Sequence, residues 1–330
     1  MVAAVPSNSG SGCWRPSAAE MATLNVNAQP LNLPNFLRAA ACAALLVLAS
    51  GAFARVEEAR PLLGAAALAA RHAELRNELN DNPFRRPIHL DSTEGRDSVS
   101  GEIFALLNAP FATASNVLDK PAQWCDILIL HLNVKYCRES VDKPGSNLTV
   151  HIGRKNEQAL NIAPRMEFKY RVDSISSDYF QTFLDADKGP FGTKNYRFML
   201  EAIPLKEGGT FIHLSYSYAY GFTAKLAMQA YLKTLGSDKV GFTVIKKLPD
   251  GQPLHVSGIR GALERNTMRY FLAINAYLGA LSTPPQQQLE KRLRDWFAST
   301  ERYPLQLHEL EQSEYLDMKR KEYKRQQVGG

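Results

Sequence analysis

The chain has 330 residues, a formal net charge of +6, and 45% hydrophobic and 22% charged residues. This composition excludes a globally disordered chain, because enough apolar side chains are present to build a core. No uninterrupted apolar run reaches the ~18 residues expected of a membrane-spanning helix. None of the usual nucleic-acid-binding motifs occurs, so the mildly basic balance does not indicate a nucleic-acid partner.

An export signal is predicted near the N-terminus. Residues 1–20 are rich in Ser, Gly and Ala and are typical of a disordered leader. Arg38 then precedes a short apolar run over residues 39–48, and the triplet Ala52 to Ala54 fits the small-x-small rule of signal peptidase. We expect cleavage after this triplet, which removes residues 1–54 and places the mature protein in the periplasm or outside the cell. An uncleaved N-terminal anchor is the alternative.

Two cysteines remain in the predicted mature chain, Cys125 and Cys137. An even number in an oxidising compartment favours a disulfide between them, and two buried free thiols are the alternative. The histidines form neither an HxH nor an HExxH pair, and no phosphate-binding glycine loop occurs. We therefore expect no metal and no cofactor.

The first elements mix helices with one strand. Residues 65–80 have the periodicity of a helix, residues 83–97 are predicted to be irregular, and residues 98–107 have β character. Residues 113–131 have helical spacing, with Pro121 opening a second short helix.

A run of strands follows, separated by Gly and Pro clusters. The predicted strands, which alternate apolar and polar residues, are 133–138, 147–152, 166–172, 196–203 and 210–222. This pattern is typical of an antiparallel meander with one buried and one wetter face.

The C-terminal third is mainly helical. A helix is predicted over 225–235, a strand over 240–245, and the longest helix over 261–281, which is apolar on two sides and is therefore expected between two layers. Polar, charged helices are predicted over 286–300 and 310–327.

Helices that pack on one face of an antiparallel sheet define the α+β class, and a curved sheet can leave an apolar space beside the last long helix. With GALERNTMRYFLAINAYLGAL after the strands, residues 98–281 resemble the START-like (SRPBCC) helix-grip superfamily. The stretches NPFRRPIHLDS and PAQWCDILILHLNVKYC are similar to uncharacterised exported proteobacterial members. The resemblance implies a curved antiparallel sheet wrapped around a long C-terminal helix. Residues 55–97 would then be an N-terminal helix and connector, and residues 282–330 a C-terminal helical tail.

The resemblance implies a lipid-like ligand between the sheet and the long helix. The strand over 210–222 places alternate tyrosines on one face, and a tyrosine has an apolar body and a polar tip that suit an amphipathic ligand. The predicted ligand-binding residues are Tyr216, Tyr218, Tyr220, Phe168, Tyr170, Arg197, Met199, Glu201, Tyr270 and Ile274. A tyrosine ladder that only packs across strands is the alternative for the first three, and a solvated outer face is the alternative for the charged residues.

Three functions stay open at this point. The first is binding or transport of a hydrophobic or amphipathic small molecule. The second is a cyclase-like or hydrolase-like enzyme that uses His151, His213 and Glu201 inside the same cavity. The third is an envelope interaction protein with a filled core. In addition, the basic end of the last helix, near Lys319 to Arg325, could lie on an anionic membrane, and a solvated, frayed terminal helix is the alternative.

Overall fold

A curved antiparallel sheet organises the chain in a computed structural model, which describes residues 64–140, 146–234 and 238–329. The strands of the sheet are β1 (Ile88–Glu94), β2 (Ser98–Leu107), β3 (Val134–Ser140), β4 (Ser146–Ile152), β5 (Arg165–Ile175), β6 (Phe180–Lys188), β7 (Thr193–Pro204) and β8 (Thr210–Tyr220). In these described residues the eight strands lie in the order β1-β2-β8-β7-β6-β5-β4-β3, and every neighbouring pair is antiparallel. The chain therefore crosses from β2 to the far edge at β3 and returns strand by strand to β2.

The helices lie before, between and after these strands. They are α1 (Ala65–Glu74), α2 (Arg76–Asn80), α3 (Phe111–Leu118), α4 (Pro121–Leu128), α5 (Phe222–Thr234), α6 (Gly258–Gly279), α7 (Pro285–Thr300), α8 (Pro304–Leu307) and α9 (Gln312–Val328). A short hairpin of β9 (Val244–Lys247) and β10 (Pro253–His255) separates α5 from α6. Pro121 is the first residue of α4, where its missing N–H costs nothing, as predicted.

The helix α6 lies on the inner face of the sheet. Its 22 residues are mostly buried, and Leu263, Phe271 and Ile274 are at most 1% exposed. It contacts β1, β2 and β8 on one side and α4 and α7 on the other. Its two apolar stripes are thus covered by two layers, as the sequence predicted. The α+β helix-grip architecture is confirmed.

Two strands differ from the sequence prediction. Residues 83–97 were expected to be irregular, yet they contain β1, which pairs along its whole length with β2. The strand β6 was missed altogether, although it lies in the middle of the sheet. Polar residues such as Gln181 and Thr182 interrupt its apolar pattern, and both are buried because β5 and β7 cover its flanks.

The C-terminal helices form part of the core instead of a tail. Trp296 of α7 and Tyr315 of α9 are at most 1% exposed and stack on each other with ring centroids 4.9 Å apart. The phenol of Tyr315 donates to the carbonyl of Leu130 at 2.9 Å. The predicted leader and signal peptide, residues 1–54, lie outside the described residues.

A disulfide joins Cys125 of α4 to Cys137 of β3, with their Cα atoms 5.1 Å apart. Both residues are buried in the main core. The bridge therefore fixes α4, in the connection from β2 to β3, against the edge strand β3.

Candidate functional site

The inner face of the sheet carries a wall of aromatic side chains. Because side chains alternate along a strand, Tyr216, Tyr218 and Tyr220 of β8 all point to this face. Tyr270 of α6 packs against Phe198 and Tyr216, with ring centroids 5.5 and 5.3 Å apart. The predicted residues of β8 and α6 therefore lie together on this face, where they pack against one another.

Three further predicted residues lie on the same inner side. Phe168 and Tyr170 of β5 belong to this core, and Ile274 of α6 is fully buried. The phenol of Tyr170 donates to the carbonyl of Leu118 at 2.9 Å, and burial raises the pKa of Tyr170 to about 12. Tyr170 is therefore held by the protein itself and is not free to bind a ligand in this state.

Among the described residues, the space between strands β3–β8 and Tyr270 of α6 is almost closed. Its volume is about 20 Å³, which is room for about one water molecule. Its lining, drawn from β3 to β8, α4 and α6, is Leu128, Val134, Val150, Ile152, Phe168, Leu184, Phe198, Tyr216 and Tyr270. Ligand sites generally span about 300–1,000 Å³, so the cavity expected from the sequence is filled by its own aromatic side chains.

The buried phenols of this wall are neutral. Burial raises the pKa of Tyr216 well above its usual value of 10.0, and burial likewise raises the pKa of Tyr218 and Tyr270. The wall therefore offers hydroxyl dipoles and aromatic faces but no charge.

Three predicted site residues lie on the opposite face of the sheet. Arg197, Met199 and Glu201 of β7 alternate with Phe198, so they point away from α6 and cannot line a space beside it. Arg197 is half-exposed, with Nη1 3.4 Å from Oδ1 of Asp185. The prediction failed because alternation alone does not show which face of β7 meets α6. The later part of the outer face, at Met199 and Glu201, is buried as well, next to α1.

Glu201 and His213 meet on this outer face. Oε1 of Glu201 lies 2.8 Å from Nδ1 of His213, and the phenol of Tyr179 donates to Oε2 of Glu201 at 2.7 Å. The backbone N–H of Gly64 donates to Tyr179 at 3.1 Å, which ties the start of α1 to the sheet. Nε2 of His213 is 3.7 Å from Glu102, an ion-pair contact longer than a hydrogen bond.

This outer network is a structural connection and not a catalytic site. His213 is 3% exposed and Glu201 is fully buried, so a substrate cannot reach either residue. The His213 ring stacks on Phe104 with centroids 4.2 Å apart. His151, the third candidate of the enzyme hypothesis, lies on β4 and contacts the carbonyl of Ala163 at 3.1 Å. The proposed catalytic trio is therefore not assembled.

The network predicts a pH-dependent stability. Burial lowers the pKa of His213, but Glu102 and Glu201 together raise it more, so the net pKa lies above 6.5. A raised pKa stabilises the fold below pH 6.5, and that stability is lost as the pH rises through the folded-state pKa. We expect the advantage of the wild type over His213→Gln in urea unfolding to shrink as the pH rises from about 5.5 to about 9. A difference between the wild type and His213→Gln that stays constant across this pH range would contradict the assignment.

A larger groove opens beside the last turn of α6, with a volume of about 790 Å³. Its lining comes from the β2–α3 connection, the end of α6 and α7: Leu107, Asn108, Ala109, Pro110, Thr113, Asn275, Ala276, Leu278, Gly279, Leu281, Ser282, Lys291, Asp295, Ala298, Ser299 and Arg302. A Cβ added to Gly279 would meet no atom within 4 Å, so the helix backbone itself forms part of the floor. This groove could not be predicted from the sequence, because only the packing of three distant segments creates it.

A second cleft of about 400 Å³ between α4, α7 and α9 is more polar. Its central cation is Arg292, whose guanidinium lies 3.9 Å above the ring of Tyr277 and 3.1 Å from Asp126. Because these groups already satisfy one another, this cleft is a weaker candidate than the groove.

The basic end of α9 is largely paired within the protein. Lys319 is fully buried and contacts Glu322, and Arg320 forms a two-pronged ion pair with Glu290 at 2.7 and 2.9 Å. Lys321 lies 2.9 Å from Glu157. These three cations therefore have carboxylate partners already, which leaves less positive charge for a membrane than the sequence suggested.

In the part of the chain that the structure describes, no helix is long and apolar enough to cross a membrane. Within those same residues, no group of three or more His, Cys, Asp or Glu side chains is arranged to hold a metal ion.

No family model matches the chain, and no curated protein matches it either. Solved structures that are similar include Ara h 8.0201, with 12% identity over 58% of this chain and 99% of that chain and a TM-score of 0.30. Human StAR-related lipid transfer protein 5 is 10% identical over 51% of this chain and 87% of its own, with a TM-score of 0.28. Truncated norcoclaurine synthase from Thalictrum flavum is 13% identical over 44% and 92%, also with a TM-score of 0.28. The fold assignment itself rests on the strand order and on α6.

Proposed function

We propose that this domain binds an apolar or amphipathic small molecule in the groove beside the last turn of α6. One observation carries the proposal: the groove, at about 790 Å³, is within the size range of ligand sites, whereas the space between sheet and helix, at about 20 Å³, is not. The proposal rests on this volume and its lining, and not on the likeness to a lipid transfer protein.

The lining of the groove suits a ligand with two different ends. Leu107, Leu278 and Leu281 provide apolar surface, while Asn108 lies on the polar side of the groove. Lys291 is neutralised by Asp295, 2.7 Å away on the same helix. The exposed guanidinium of Arg302 is then the group placed to bind an acidic or polar head.

The groove can be blocked without disturbing the core. Because Gly279 faces open space, Gly279→Phe places an aromatic ring in the groove with little strain. We expect this variant to bind a fluorescent fatty acid, dansylaminoundecanoate, at least about tenfold more weakly than the wild type, measured by fluorescence titration. Ser313→Phe, at an exposed position of α9, is the matched control and should bind normally. Unchanged binding by Gly279→Phe would exclude the groove as the site.

A second candidate function is that of an interaction protein with a filled core. The observation that favours it is the closed space beneath α6. Failure of the wild type to bind the fatty acid, together with failure to bind an uncharged dansyl alkane, would leave this candidate in place of the first.

We further propose that the mature domain functions after export into an oxidising compartment. The signal sequence predicted from the residues and the disulfide between Cys125 and Cys137 both support this location.

A further inference from the structure

Two strongly exposed aromatic residues lie on neighbouring segments at one corner of the fold. Phe191 in the β6–β7 turn and Phe222 at the start of α5 are each 83% exposed, and Leu226 one turn later is 57% exposed. The turn and the helix touch, since a Cβ on Gly192 would lie 3.5 Å from the Cβ of Ala224. We call Phe191, Phe222 and Leu226 the aromatic corner.

The backbone holds Phe191 outward at a conformational cost. Its φ is +56°, a region that bulky residues rarely adopt. The turn is nevertheless braced: Thr193 donates its hydroxyl to the carbonyl of Pro190 at 2.5 Å, and the phenol of Tyr196 donates to Thr193 at 2.9 Å. The N–H of Gly189 also donates to the carbonyl of Thr193 at 2.9 Å. Phe191 is therefore presented to solvent by a fixed turn.

The charges beside this corner are also placed at a cost. Lys188 and Lys194 are exposed and lie directly opposite each other across β6 and β7. Like charges in that position destabilise a sheet. A third cation, Lys225, follows Phe222 on α5 and donates to the carbonyl of Arg96 at 3.0 Å. Three lysines are thus close in sequence to the exposed apolar residues, two of them flanking the turn of Phe191 and one on α5.

We propose that the aromatic corner docks the protein on an anionic lipid surface. Aromatic rings insert at the level of lipid headgroups, while neighbouring lysines gain favourable energy from anionic lipid. That surface would relieve the repulsion between Lys188 and Lys194. A second copy of this chain would oppose the same lysines to each other across a symmetric contact, which would add repulsion.

This docking site is independent of the ligand groove. The aromatic corner adjoins the end of β8 at Tyr220, whereas the groove lies at the other end of the sheet, where Leu107 of β2 pairs with Thr210 of β8. A protein docked by this corner therefore keeps its groove directed away from the lipid. The Gly279→Phe variant should accordingly bind vesicles normally, and changes at the corner should leave fatty-acid binding intact, so either idea can fail alone.

Insertion of the corner can be measured at the residue itself. In the full chain, Phe191→Trp should show a blue-shifted emission component with vesicles containing about 30% phosphatidylglycerol, and dibrominated phosphatidylcholine should quench it. Leu305→Trp, at a 56% exposed position of α8, is the matched control and should show neither change. Subtracting the wild-type spectrum removes the signal of the native tryptophans. Equal behaviour of the two variants would overturn the proposal.

Affinity provides a second, separate readout. In vesicle co-sedimentation, Phe191→Ser combined with Phe222→Ser should reduce partitioning at least about tenfold. Lys188→Ser combined with Lys194→Ser should reduce it about twentyfold at low salt and much less at high salt. The control variants Leu305→Ser in α8 and Lys324→Ser in α9 should have little effect on partitioning. Two results would overturn the proposal. One is loss of vesicle binding with Lys324→Ser alone. The other is a dimer that the wild type forms without lipid in sedimentation velocity and that Phe191→Ser abolishes.

Discussion

Glu322→Gln is expected to lower the free energy of unfolding by about 3–5 kcal/mol. The carboxylate of Glu322 in α9 is the shared partner of two ammonium groups, at 3.0 Å from Lys135 and 2.6 Å from Lys319. Both lysines are fully buried. A neutral amide would leave two buried cations without a counter-charge, which is the situation in which breaking a buried ion pair is most damaging. Urea unfolding followed by circular dichroism measures the loss.

Lys319→Met is the matched control, and it should have the opposite or no effect. Burial lowers the pKa of Lys319 from 10.5 to about 8. A lowered pKa on a base means that the unfolded chain binds more protons between pH 8 and pH 10.5, so the stability of the wild type should rise across that window. At neutral pH the buried charge of Lys319 therefore lowers the free energy of unfolding. Lys319→Met removes this charge, and the ion pair between Lys135 and Glu322 remains. A loss with Lys319→Met as large as that with Glu322→Gln would contradict this account.

The sequence predicted the parts of the fold that local periodicity determines. In β8 the alternation is strict, so the tyrosines were placed together on one face correctly. In α6 apolar residues on two sides predicted burial between layers, which the contacts of Leu263 and Ile274 confirm. Both features follow from the residue pattern within a single strand or helix, so they can be predicted without knowing which elements pack against it.

The parts that failed depend on what covers each element. Period-two alternation groups Arg197 with Glu201, but it cannot decide which face of β7 meets α6. Glu201 is fully buried because α1 covers the outer face, and Tyr179 and His213 satisfy its carboxylate. The sequence contained these residues, but their proximity arises from strands that are adjacent in space.

The volume beneath α6 could not be predicted for a related reason. Whether a curved sheet and its helix enclose a cavity depends on a few side chains that meet in the middle. Here Tyr216 and Tyr270 meet there, with their ring centroids 5.3 Å apart, and reduce the space to about 20 Å³. The same topology with small residues at these two positions would leave a cavity, so topology alone does not determine ligand capacity.

Replacing Cys125 and Cys137 together by Ala is expected to cost about 3 kcal/mol of stability. The bridge closes a loop with a sequence separation of 12, and its loss returns that closure entropy to the unfolded chain. Urea unfolding of the double variant measures the loss, and the wild type in a strong reductant is the control, because it should lose a similar amount. A difference under about 0.5 kcal/mol, the size of an ordinary surface substitution, would contradict a stabilising role.

The same bond provides a test of export. If the signal is cleaved after Ala54, the intact mass of protein purified from its native cells should correspond to a chain that begins at Arg55. If the protein resides in an oxidising compartment, that mass should also be lower than the fully reduced mass by two hydrogen atoms. The two observations are independent, because cleavage reports translocation and the bridge reports the redox state at the destination. A mass that retains residues before Arg55 would contradict cleavage. Reaction of both Cys125 and Cys137 with iodoacetamide in the unfolded, unreduced protein would contradict the oxidising location, because cysteines joined by a disulfide have no free thiol to alkylate.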